Sequence, residues 1–126
     1  MADEAMPQQQ FRNQRAEEFV STYSNNVFFE QTVWDLKFIF GELDLSQGIV
    51  DQHTGVTVPW TIAKLTLYYL ATQIAGHEIV NGKIHLPEAI LPAEPPPLTE
   101  EQKHEPNLPK IYAEFKRLHA EFMKGL

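Results

Sequence analysis

Between residues 22 and 43 apolar and polar positions alternate, with Val27 and Phe29 on one side and Trp34, Leu36, Phe38 and Phe40 following at the same spacing of two. An extended chain points successive side chains to opposite faces, so this run predicts two β-strands. The polar break at Gln31 and Thr32 is short enough for an antiparallel hairpin, and Asp35 and Lys37 fall opposite the apolar set, where water can reach them. Residues 44–55 hold Gly48, Asp51 and Gly55 in a polar setting and read as a loop with a short extended stretch at Ile49 and Val50. A third strand is expected at residues 56–58.

The period then changes. Trp60, Ala63, Leu67, Leu70, Ile74 and His77 recur at helical spacing, and Ile62, Leu65 and Tyr69 make a second stripe. Pro59 suits the first turn of such a helix, where its missing N–H would lack a partner anyway. Asn81 and Gly82 mark its end, because a left-handed residue closes the last turn and glycine tolerates that conformation. Lys64, Thr66, Thr72, Gln73, His77 and Glu78 interrupt the apolar run, which argues against a membrane span and for a helix packed on protein.

Beyond a short extended stretch at residues 83–86, proline and glutamate dominate residues 92–107 and favour an extended linker or arm. Periodicity returns at Leu108, Ile111, Tyr112, Phe115, Leu118, Phe122 and Met123, set against Lys110, Glu114, Lys116, Arg117 and Glu121. This is an amphipathic helix that needs a partner surface. The expected organisation is a flexible tail at residues 1–20, an α+β core at 21–91, the linker at 92–107 and the helix at 108–126.

Composition adds limits. With 126 residues the chain holds one modest domain, and 43% hydrophobic residues with 11% aromatic are too many for a disordered chain. The net charge of −7 is spread along the sequence with no basic footprint, which disfavours nucleic acid and anionic membranes as partners. There is no cysteine, hence no disulfide framework and no thiol nucleophile. The acidic, glutamine-rich start lacks the apolar stretch of a secretory signal, so a cytoplasmic location is expected.

Motifs that carry chemistry are sparse. His77 and Glu78 begin the zinc pattern H-E-x-x-H, but its second histidine position is Asn81. His53, His85, His104 and His119 have no ligand spacing, and no phosphate-binding glycine loop or nucleophile elbow occurs. Glu30 and Asp35 flank the hairpin as ordinary surface carboxylates. Lys64 sits in an apolar helix with a stem long enough to carry its charge to water. The PxxP element from Pro92 to Pro95 is common in spacers. No enzyme activity, cofactor or metal is expected.

Tyr23, Asn25 and Asn26, then Trp34, Asp35, Leu36, Phe38 and Phe40, then Pro59, Ala63, Lys64, Leu67, Leu70, Ile74, His77, Glu78, Gly82 and Ile84 form an arrangement that resembles a family of short bacterial proteins whose domain has no assigned function. The resemblance covers residues 23–84 and departs from the usual pattern at His77, where members carry Tyr, and at Thr57 and Val58, where an Arg often precedes the proline. The order of hairpin, strand, helix and Gly-Lys-Ile exit is also distantly similar in topology to the SecB-type export chaperone, an acidic oligomer that holds unfolded chains.

These readings predict an α+β fold: an antiparallel sheet of three or four strands, covered on one face by the helix over residues 59–81, with the last helix docked on its own or a neighbouring subunit. The aromatic residues exceed what one helix can hide on such a sheet, so the expected function is a non-enzymatic, self-associating interaction or assembly protein. The alternative is a chaperone-like holder of unfolded or exported polypeptides. The expected partners are the chain itself, as a dimer or higher oligomer, and possibly another protein, without nucleic acid or membrane insertion. The candidate interface residues are Phe28, Trp34, Trp60, Tyr68, Tyr69, Ile111, Tyr112, Phe115, Leu118 and Phe122.

Overall fold

A computed structural model describes residues 11–126, so the first half of the expected N-terminal tail lies outside the described residues. The chain forms two compact units, one ending at Tyr68 and the other spanning Tyr69–Leu126. Their boundary falls within a helix.

The first unit is a three-stranded antiparallel sheet of β1 (Asn26–Gln31), β2 (Asp35–Asp44) and β3 (Ile49–Pro59), in the order β1-β2-β3. The first hairpin turns on Thr32, whose hydroxyl oxygen accepts from the Trp34 and Asp35 amides at 3.0 and 3.1 Å. The same hydroxyl donates to the Asp35 carboxylate at 2.9 Å. This polar turn is why the alternation breaks there, and it leaves Trp34 in the turn instead of at the start of the second strand.

The expected loop over residues 44–55 is corrected. Only residues 45–48 turn, and β3 runs unbroken from Ile49 to Pro59. Asp44 fixes the turn, accepting from the Ser46 amide at 3.0 Å and from its hydroxyl at 2.6 Å. Gly48 closes it at φ 66°. The strand escaped the period-two reading because the register shifts opposite Phe40 and Gly41: Phe40 pairs with Thr54 and Gly41 with Gln52, leaving His53 as an extra residue. One inserted residue reverses the in-and-out parity, so polar and apolar positions no longer alternate in a single phase.

Pro59 ends β3 opposite Asp35 and does not open the helix. Helix α1 spans Trp60–Asn81, starting on the very next residue, and Gly82 follows it at φ 92° as its sequence position predicts. No residue of α1 is buried, and within the first unit its apolar side chains Trp60, Ile62, Leu65 and Leu67 are exposed. A helix that begins without a connecting residue has no chain with which to reverse onto the strand it leaves.

The second unit contains the end of α1, a short 3-10 turn at Glu88–Ile90, α2 (Glu100–Lys103) and α3 (Leu108–Lys124). Thr99 and Gln102 form a reciprocal capping box on α2. The Pro-rich segment is no free spacer. The Pro92 carbonyl lies 3.0 Å from His119 Nε2, while Pro95, Pro96, Pro97 and Leu98 line a groove with Leu108, Ile111, Tyr112 and Phe115. The arm therefore runs antiparallel along α3, covering one of its stripes with an extended polyproline chain that needs few backbone partners of its own.

Candidate functional site

The sheet has two unlike faces. Cross-strand pairing sets Val27 opposite Phe40, Phe29 opposite Phe38, and Phe38 opposite Val56, so these residues share one face with Leu36 and Val58. Phe29 and Phe38 meet edge-on with ring centroids 5.0 Å apart, and Phe38 stacks on Phe40 at 6.2 Å. Such pairs fix an aromatic surface in one shape. No charged side chain belongs to this stretch of the face. The other face carries Phe28 and Ile39 among Asn26, Glu30, Lys37 and Thr57.

One end of the apolar face is bordered by the chain entering β1. Phe19, Val20, Ser24 and Asn26 lie with Val27, Phe40 and Thr54 around a shallow hollow of about 640 Å³. The polar residues here hold backbone together. Ser24 Oγ donates to the Gly41 carbonyl at 2.8 Å and accepts from the Gly41 amide at 3.1 Å. The Asn25 side chain accepts from the Leu43 amide at 2.6 Å and donates to its carbonyl at 3.4 Å, continuing the ladder with an amide in place of backbone. His53, the bulge residue, places Nε2 3.0 Å from the Tyr23 carbonyl.

Gly41 lies at the centre of these bonds and is buried. A Cβ there would sit 2.7 Å from the Asp51 carbonyl and 3.0 Å from the Gln52 Cα, so only glycine fits.

The expected interface residues fall in both units and occupy different elements within each. Phe28 occupies the more polar sheet face, Trp34 is 82% exposed in the hairpin turn, and Tyr68 and Tyr69 lie exposed in mid-helix. Trp60 is 39% exposed, and its indole N–H donates to the Thr32 carbonyl at 3.1 Å, tying the first turn of α1 to the hairpin. On α3, Ile111, Phe115, Leu118 and Phe122 share one exposed stripe. Tyr112 belongs to the neighbouring stripe with Leu108, His119 and Met123, which the arm half-buries. The sequence reading missed Phe29, Phe38, Phe40 and Val56 because it assigned that face to the helix.

At the end of α1, His77 and Glu78 take part in local backbone closure. Glu78 accepts from the Ile84 amide at 2.9 Å, and the Gly82 amide donates to the Glu78 carbonyl at 2.9 Å, so both close the end of α1. Asn81 Nδ2 bonds the His77 carbonyl at 3.2 Å. Among the described residues no cluster of three or more His, Cys, Asp or Glu is placed to hold a metal. The Ser46 hydroxyl holds the exposed Asp44 carboxyl below its ordinary value, and the Arg117 guanidinium lowers that of Glu114.

Fold and site define an α+β chain with a half-exposed aromatic sheet face and an exposed apolar helix, and no helix among the described residues is long and apolar enough to cross a membrane. No family profile, curated protein or solved structure matches the chain.

Proposed function

We propose that this chain is a non-enzymatic interaction module that self-associates and acts as part of a protein assembly. One observation carries the reading: among the described residues no apolar side chain is buried, although strands and helices are fully formed. A three-stranded sheet and a 22-residue helix gain little stability from backbone hydrogen bonds alone, because water competes for the same groups. The missing term is apolar burial, which another protein surface supplies. Light scattering over a wide concentration range should give an oligomeric mass that persists on dilution; a constant monomer mass would sink the reading.

A second reading, a chaperone-like holder of unfolded polypeptides, draws on the charge-free aromatic face around Phe29, Phe38 and Phe40. It requires that the protein suppress the aggregation of an unfolded client at near-stoichiometric ratio. Failure with several clients would remove it.

A further inference from the structure

The junction between β3 and α1 decides how a partner fits. The strand ends at Pro59 and the helix starts at Trp60, with no residue between them. Trp60 is held by its bond to Thr32, so the first turn of the helix is fixed to the hairpin. Reversing a chain onto its own sheet takes a connection of about 2–6 residues, as in ordinary strand-to-helix loops. This chain has the two surfaces of a sheet-on-helix layer and lacks the connection that would join them in one molecule.

Resting on the self-association proposed above, we propose that two copies exchange α1, each laying its helix across the apolar sheet face of the other. The apolar pattern of the helix fits this occupant. A helix covered on one side carries one stripe, whereas α1 carries two, one with Leu67 and Leu70 and another with Ile62 and Leu65. In a two-fold exchange, one stripe meets the partner's sheet and the other meets the partner's α1 as the helices pass each other.

The area suffices. Phe29, Val56, Ile62, Leu65, Leu67 and Leu70 are each 44% to 70% exposed. At about 100 Å² for a half-exposed large side chain, these alone offer about 600 Å² per copy. Doubled by symmetry this is about 1,200 Å², the lower bound of a stable interface before smaller neighbours are counted. Charge does not oppose the contact, because the net −7 of each copy has no representative on the sheet face around Phe29, Phe38 and Val56.

The test lengthens the junction. Six Gly/Ser residues inserted between Pro59 and Trp60 of the full chain give the helix room to fold back on its own sheet. The expected result is a folded monomer with unchanged circular dichroism, where the parent chain is a dimer. A second measurement covers the case in which the insertion fails to fold. In the parent chain, which has no cysteine, V56C/L70C treated with a short bis-maleimide should cross-link at the mass of two chains.

A folded insertion variant that stays dimeric, or a cross-link formed within one chain, would overturn the exchange while leaving self-association standing. A parent chain that is monomeric throughout would remove the functional proposal as well.

Discussion

The two units of this chain meet the same problem differently. Each contains an element with an apolar side that water disfavours. In the second unit the Pro-rich arm returns along α3, with Pro92 at His119 and Pro95 to Leu98 beside Leu108 and Tyr112, so one helix stripe is shielded within the chain. In the first unit the sheet face around Phe29 and Phe38 stays half-exposed. The difference lies in connection length, since the long segment between α1 and α3 can reverse direction and the junction of β3 with α1 cannot. Intramolecular burial is a privilege of elements joined by enough chain.

Substitutions can probe that contrast, provided all melts are run at one protein concentration. The largest effect is expected at Gly41→Ala, where the new Cβ meets backbone that cannot swing aside. A loss of about 3 kcal/mol, at the upper end for overpacking, should appear as a lowered midpoint in urea. A variant as stable as the parent would mean that the sheet is looser at this crossing than the bonds of Ser24 imply.

Next comes the pair Tyr112→Ala and Phe115→Ala on adjacent stripes of α3. The first removes a half-buried ring beside the arm and should cost about 2 kcal/mol. The second removes a more exposed ring at the rim of the same groove and should cost less, about 0.5 kcal/mol. Equal losses would erase the distinction between shielded and open stripes.

Gly82→Ala places a Cβ at φ 92° and should cost about 1–2 kcal/mol, with fraying of the last turn of α1 visible by amide exchange. Asn25→Ala deletes the bonds to Leu43 and should cost about 1 kcal/mol, leaving the Leu43 amide as the first strand position to exchange.

The smallest effect is a pH dependence. The folded chain holds the Asp44 and Glu114 carboxyls below their ordinary values, so their contribution is complete above about pH 4 to 5 and is lost as the pH falls through the lowered folded values. Ser46→Ala should reduce the acid sensitivity of the β2–β3 turn, read from amide shifts of residues 44–48.

Much of the architecture follows from local pattern. Period two at Val27, Phe29, Leu36, Phe38 and Phe40 specifies the hairpin, and period 3.6 specifies α3, while α1 is apolar nearly all round and is marked by its length and its Asn81-Gly82 end. Gly82 adopts the left-handed conformation that its place after Asn81 requires. What escaped was non-local. The bulge at His53 makes β3 unreadable by alternation, because it exists only through pairing with β2. Asn25 reads as a polar loop residue until Leu43, eighteen positions away, supplies its partner.

Which segments extend, which coil and which sides of the strands and of α3 avoid water depend on residues within a few positions of one another and are written in the local pattern. Which apolar sides meet is settled by the fold as a whole. The Pro-rich arm lies on α3 instead of forming a spacer, and the bulge at His53 sets the register of β3, because both depend on chain reversal and pairing, which no periodicity encodes.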